Sequence, residues 1–167
     1  MQETEIKLAV GSPAEGRRRL RAAGFQVLHK RVFEQNTIYD TKSGVLRNSR
    51  RLLRIRQAGK KATVTFKGPP AVGKHKSRQE LELEIADPKI LQSIVQELGF
   101  APSFRYDKYR TEFQHPGEKG VATLDETPVG TFLELEGSPR WIDRTAKTMG
   151  FSEADYITAS YARLYAQ

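Results

Sequence analysis

The sequence predicts an α+β domain built on one large antiparallel sheet. About eight segments alternate apolar and polar residues with the period of two that a strand imposes. Most links between them are short, which favours antiparallel pairing, and four further segments carry helix caps or a helical period. With 167 residues, 38% of them hydrophobic, the chain has material for one core, and residues 1–167 are expected to form a single domain.

The first strand is QETEIKLAV, residues 2–10, with Glu3, Glu5 and Lys7 on one side and Thr4, Ile6 and Leu8 on the other. Ser12 and Pro13 supply an N-cap and a first-turn proline for a helix that stops at Gly24. Residues 25–41 are extended again and end in the turn TKSG. RRLLRIRQ and ATVTFKG, joined across AGKK, predict a hairpin, and a Gly/Pro/Lys loop follows. RQELELEIA is an alternating strand, after which Asp87 and Pro88 open a helix that closes at Gly99. SFRYDKYRTEFQ is extended, HPGEKG is a turn, and VATLDET pairs with GTFLELEG. Ser138 and Pro139 open a helix running to Gly150, and a last helix is expected from about Ser152, with Tyr156, Ile157, Tyr161 and Leu164 on one face.

The polar positions of these strands are unusual. Arg54 and Arg56 lie opposite Leu53 and Ile55, and Lys67 opposite Val64 and Phe66. Arg78, Glu80 and Glu82 lie opposite Leu81, Leu83 and Ile85, while Lys108 and Arg110 share one side of their strand. Asp125 lies opposite Leu124, and Glu134 with Glu136 opposite Leu133 and Leu135. A solvated sheet face gives alternation without any function. Such a face usually mixes in Ser, Thr, Asn and Gln, however, whereas Arg, Lys and Glu dominate here. If the sheet closes on itself, these positions line a lumen that must be hydrated, internally paired or filled by ions. Clustered carboxylates suit Mg²⁺ or Mn²⁺, and clustered Arg and Lys suit a polyanion. Together they describe a site for a metal and a triphosphate.

Composition narrows the partners. The net charge of +8 points to an anionic partner, and the interleaving of Lys and Arg with Glu argues for a structured site over a disordered basic arm. There is no Cys, so thiolate ligation and disulfides are excluded and a reducing cytoplasm is the expected location. No stretch approaches the roughly 18 apolar residues of a membrane span. GPPAVGKH resembles a P-loop, but His75 replaces the required Ser/Thr, Pro69 and Pro70 remove N–H donors, and a strand follows. It is expected to connect two strands, with a substrate-covering loop as the functional alternative. His29, His75 and His115 lack metal-ligand spacing and are expected at the surface. Trp141 is expected to pack, and Tyr39 with Asp40 has a turn-adjacent structural role as one reading.

The first strand, with Glu3, Glu5 and Lys7, matches an E-x-E-x-K signature, and LRIR, TFKG, SRQELELEI, KYR, LDETP and FLELEG follow in order. In these motifs, and in Ser160–Tyr161, the chain resembles the CYTH superfamily, the triphosphate tunnel metalloenzymes, over nearly its whole length. The resemblance implies a closed eight-stranded antiparallel β-barrel with a charged lumen and flanking helices. It further implies that Glu3, Glu5, Glu134 and Glu136 hold Mg²⁺ or Mn²⁺, with Asp125 as a further contact. Lys7, Arg54, Arg56, Lys67, Arg78, Lys108 and Arg110 would clamp phosphate oxygens, and Glu80 and Glu82 would orient the basic side chains or form a structural salt-bridge network. No residue is singled out as general base. The expected reaction is hydrolysis of tripolyphosphate or of a nucleoside or thiamine triphosphate. The alternative is cyclisation of ATP to cyclic AMP and pyrophosphate, as in the class IV adenylyl cyclases. A third reading is a non-catalytic binder of polyphosphate or RNA 5′ ends, although Phe104, Tyr106 and Tyr109 are a sparse aromatic set for RNA. Either a monomer or a homodimer is compatible with the sequence.

Overall fold

A computed structural model describes residues 1–167. The strands are β1 (Gln2–Val10), β2 (Gln26–Asp40), β3 (Leu52–Ala58), β4 (Lys61–Lys67), β5 (Lys76–Glu84), β6 (Ala101–Gln114), β7 (Val121–Thr127) and β8 (Gly130–Glu136). They close into a barrel in the order β1-β5-β4-β3-β2-β6-β7-β8. The helices are α1 (Pro13–Ala22), α2 (Val45–Asn48), α3 (Pro88–Glu97), α4 (Pro139–Thr148) and α5 (Tyr161–Tyr165). The expected closed eight-stranded antiparallel barrel with flanking helices is therefore what the chain forms. No helix is long and apolar enough to cross a membrane.

The three long helices start where side-chain oxygens meet orphan backbone donors. Ser12 Oγ accepts from the Glu15 N–H, Asp87 from those of Lys89 and Ile90, and Ser138 Oγ from that of Trp141, each followed by proline in the first turn. Beyond the ends of α1 and α4, Gly24 and Gly150 adopt φ of 86° and 87°, a left-handed conformation that glycine takes at least cost.

Two expectations need correction. The last helix does not begin near Ser152: Glu153–Asp155 form one 3₁₀ turn, and only Tyr161–Tyr165 are α-helical. The spacing of Tyr156, Ile157 and Tyr161 fits a helix, but Ile157 instead exchanges two 2.9 Å backbone hydrogen bonds with Lys7. Second, the TKSG turn leads straight into α2. Asp40 organises that turn, its carboxylate accepting from the N–H groups of Thr41, Leu46 and Arg47 at 2.8 to 3.0 Å.

The chain divides into two compact units: residues 1–2, 33–71 and 78–107, and residues 3–32, 72–77 and 108–167. In the second unit, Ile6, Leu8, Leu124, Leu133 and Leu135 are fully buried on one sheet face. They pack with Leu20 of α1 and with Trp141, Ile142 and Ala146 of α4. Trp141 is a packing residue, as expected, and its Nε1 donates to Glu118 at 2.6 Å. In the first unit a smaller core joins Tyr39, Ile55 and Val95 with Leu53, Val64, Leu91 and Phe100. In both units the strand residues of opposite parity are the charged ones.

Candidate functional site

In the second unit the charged face is assembled by strand register. Lys7 on β1 is the cross-strand partner of Glu134 on β8, and Arg110 on β6 is the partner of Asp125 on β7. Alternation then places the side chains together. Lys7 Nζ lies 3.1 Å from Glu134 and 3.8 Å from Glu5, and Lys76 Nζ lies 3.4 Å from the same Glu5 oxygen. Arg110 grips Asp125 with two 2.7 Å bonds and reaches Glu134 at 2.5 Å. Lys108 donates to Asp125 at 2.7 Å, and the Tyr161 hydroxyl donates to the same oxygen at 2.8 Å. The Tyr161 ring also serves two cations, with the ammonium groups of Lys7 and Lys108 4.9 and 4.8 Å from its centroid.

Four cations, Lys7, Lys76, Lys108 and Arg110, here contact three carboxylates, Glu5, Asp125 and Glu134. All seven are buried or nearly so, and the side chains of Lys108 and Asp125 are 1% and 0% exposed. Burial pushes the Glu134 carboxyl up, but Lys7, Arg110 and Lys108 outweigh it and hold it well below the usual carboxylate range. Asp125 is likewise pushed up by burial and brought below its ordinary value by Arg110 and Lys108. Burial works against the Lys7 ammonium, yet Glu134 and Glu5 raise its pKa above the ordinary value, so it stays charged. Burial, Glu134 and Asp125 together keep Tyr161 neutral and a hydrogen-bond donor.

The first unit carries a second charged set on the same principle. Arg54, Thr65 and Glu82 are cross-strand neighbours on β3, β4 and β5. Arg54 donates to the Thr65 hydroxyl at 3.2 Å, which donates in turn to Glu82 at 2.6 Å. Lys67 stands 2.8 Å from its cross-strand partner Glu80. Arg56 donates to Asn36 at 2.9 Å and lies 3.4 Å from Glu34, while Arg78 is buried at the start of the unit's β5 segment.

The five carboxylates expected to hold metal are not placed alike. Both Asp125 oxygens accept from side chains of the chain itself, Arg110, Lys108 and Tyr161. Glu134 is occupied by Lys7 and Arg110. Glu3 is half-buried on the Glu5 face of β1, and Glu136, exposed near the end of β8, is the direct cross-strand partner of Glu5. Like charges set directly opposite are unfavourable unless a cation stands by them. No three acidic or histidine side chains form a ready cage. Mg²⁺ characteristically takes only one or two carboxylates and completes its shell with water and phosphate oxygens. The all-oxygen donors Glu3, Glu5 and Glu136 fit such an ion.

Two members of this cluster had no role assigned from the sequence. Lys76 shares the parity of Arg78 and Glu80 but sits at the end of a Gly/Pro loop, and Tyr161 stands in the sequence only on an expected helix face and in the Ser-Tyr pair, neither of which points to Asp125. His75 also differs from expectation. It is not a free surface residue but bonds Asp143 at 2.7 Å, while Lys74 contacts Asp143 and Glu153. Tyr156 adds a third bond to Asp143, so the loop before β5 is fastened at its far end.

The CYTH domain family model matches residues 1–161. The chain belongs to the CYTH domain family. A candidate adenylate cyclase of Methanocaldococcus jannaschii is 29% identical to it over 150 residues, 89% of this chain and 84% of that protein. Among solved structures, a candidate adenylate cyclase from Vibrio parahaemolyticus superposes with a TM-score of 0.84 at 21% identity, over 99% of this CYTH chain and 98% of the other. A candidate adenylyl cyclase from Hippeastrum, described as having a dominant triphosphatase activity, gives a TM-score of 0.73 at 22% identity, over 98% and 95% of the two chains. These structures share the fold of this CYTH domain.

Proposed function

We propose that this CYTH domain is a cytoplasmic, divalent-metal-dependent enzyme that hydrolyses a triphosphate, either tripolyphosphate or a nucleoside or thiamine triphosphate. The observation that supports the proposal is the buried set Lys7, Lys76, Lys108 and Arg110 gathered on one sheet face with Glu5, Asp125 and Glu134. Burying so many cations together is costly, and a polyanion is a ligand that can share in their stabilisation. On the resemblance and their chemistry, Arg54, Arg56, Lys67 and Arg78 are assigned to phosphate oxygens as well.

Phosphoryl transfer asks little covalent chemistry of a protein beyond positioning and charge stabilisation. Lys7 and Lys108 present ammonium groups held from one side by Tyr161, while Arg110, clamped by Asp125 and Glu134, presents a planar guanidinium whose geometry suits phosphate oxygens. Such fixed cations stabilise the charge that develops on the leaving oxygens without having to reorganise. Glu3, Glu5 and Glu136 would hold Mg²⁺ or Mn²⁺, which when bound polarises a phosphoryl oxygen. Cyclisation of ATP is the second reading, supported by the names of the M. jannaschii and V. parahaemolyticus proteins. Hydrolysis is preferred because it needs no adenine pocket and because the Hippeastrum protein is described as chiefly a triphosphatase.

A product-resolved assay tests the proposal. Purified protein is given tripolyphosphate, ATP or thiamine triphosphate with Mg²⁺ or Mn²⁺, and phosphate, pyrophosphate and cyclic AMP are separated. Metal-dependent phosphate release that is lost in Glu5→Gln, with the thermal transition retained, is the expected result. Cyclic AMP with equimolar pyrophosphate would replace hydrolysis by cyclisation, and triphosphate binding without turnover or metal dependence would leave only a binder.

A further inference from the structure

Three side chains converge on Asp143, a carboxylate of α4 outside the charged face. Its neighbours Trp141, Ile142, Thr145 and Ala146 are buried, so packing fixes the backbone that carries it. One carboxylate oxygen meets His75 Nε2 at 2.7 Å and accepts from the Tyr156 hydroxyl at 2.8 Å, and the other lies 3.0 Å from Lys74 Nζ. Burial pushes the carboxyl up, but the bonds from His75, Lys74 and Tyr156 bring it down to about 2, so it is charged at neutral pH. Lys74 also contacts Glu153.

The residues that follow these partners lead to Glu5. After His75 comes Lys76, the first residue of β5, whose Nζ lies 3.4 Å from Glu5 Oε1. After Tyr156 comes Ile157, whose backbone pairs with that of Lys7, and Lys7 Nζ lies 3.8 Å from the same oxygen. Successive residues of an extended segment turn to opposite sides, so a hold on His75 at α4 turns Lys76 inward. Lys76 stands where β5 has little other support. β4 accompanies β5 from Glu84 to Glu80, with one more bond from Gly68 to Gln79, and Lys76 lies three residues beyond that bond. On the β1 side the Ser77 and Thr4 hydroxyls meet at 2.9 Å. Residues 72–75 belong to no strand and include Gly73, so the contacts of Lys74 and His75 with Asp143 are what hold the approach to Lys76.

We propose that Asp143 is a positioning residue: through His75 and Lys74 it fixes the segment before β5 and so sets the Lys76 ammonium against Glu5. That Lys76 then meets a phosphate oxygen rests on the proposed triphosphate hydrolysis, whereas the positioning itself does not.

Competitive acetylation of the lysine amines in the folded full chain, with each site read by peptide mass, tests the positioning without substrate. Lys108, buried against Asp125, is the internal reference for a general loosening of the fold. Asp143→Ala should raise the labelling of Lys76 by about tenfold over that of Lys108. His75→Ala, which leaves α4 and the Tyr156 bond in place, should act in the same direction. In the hydrolysis of tripolyphosphate, Asp143→Ala should lower kcat/KM by about tenfold in the wild-type background and change nothing in Lys76→Met, since a residue that acts through another adds no loss once that other is gone. Lys76 labelling unchanged in both variants, or Lys108 labelling that rises equally, would overturn the inference, as would losses that multiply in the double variant. A wild type without turnover would strike the proposed hydrolysis alone, and the labelling would still decide the positioning.

Discussion

Asp125→Asn removes the charge to which three side chains are tied. The aspartate is 0% exposed and binds Lys108, Arg110 and Tyr161 at 2.7 to 2.8 Å. Asparagine keeps the volume but leaves Lys108 without the carboxylate it is tied to, whereas Arg110 keeps Glu134. Breaking a buried ion pair costs about 3 to 5 kcal/mol, and because Arg110 retains a partner the lower end applies, about 3 kcal/mol. For a chain of this length that lowers Tm by roughly 6 to 12 °C. Thermal unfolding followed by circular dichroism at neutral pH, without divalent metal, measures it. The pH dependence is a second reading of the same group. The folded-state pKa of Asp125 lies below its ordinary value of 3.8, so the stabilisation is fully present above the unfolded pKa and is lost as pH falls through the folded one. The gap between wild type and variant should therefore be constant at neutral and mildly acidic pH and close below about pH 4. A Tm change under about 2 °C, or a gap that persists under strong acid, would refute the view of Asp125 as the anchor of these cations.

Tyr161 separates two contributions: Tyr161→Phe loses only the hydroxyl donor to Asp125, about 1.5 to 3 kcal/mol, whereas Tyr161→Leu also loses two cation–π contacts of about 1 kcal/mol or more each. Urea unfolding should rank Leu below Phe below wild type, and equal losses would remove the ring from the account. Gly16 on α1 sets helix propensity against packing. A methyl there gains about 1 kcal/mol of propensity, but it would lie 2.6 Å from Cδ1 of the fully buried Leu124, and overpacking of that kind costs about 1 to 3 kcal/mol. Gly16→Ala should lower Tm by a few degrees, and a rise would mean that Leu124 can yield.

The fold was legible because its determinants are local. Ser12, Asp87 and Ser138 cap the helices they precede, and strict alternation separates Ile6 and Leu8 from Glu5 and Lys7. Closure of the sheet was not local and came from the ordered motifs. What escaped was set by contacts remote in sequence. Ile157 is drawn out of a helix by the backbone of Lys7, α2 is held by Asp40 from the end of the preceding strand, and Tyr161 acquires its role from Asp125, Lys7 and Lys108. The candidate charges were legible as residue types, and their division of labour was not. Nothing in LDET reveals that its aspartate binds Lys108, Arg110 and Tyr161, because those residues lie on other elements.

The pairing of β1 with β8 bears on how the protein is made. Glu5 meets Glu136 and Lys7 meets Glu134, so the first strand cannot find this neighbour until some 130 residues have been synthesised. At about 5 to 20 residues per second that is a wait of roughly 7 to 26 seconds, during which Ile6 and Leu8 stand without the strand that later buries them. Closing so long a loop is the slow kind of event that holds back domains dominated by non-local contacts. The alternating charges on Glu3, Glu5 and Lys7 then act before any substrate is met. A nascent strand with a charge at every second residue is a poor template for edge-to-edge aggregation, so the residues proposed for the ligand also keep the unfinished chain apart from its neighbours.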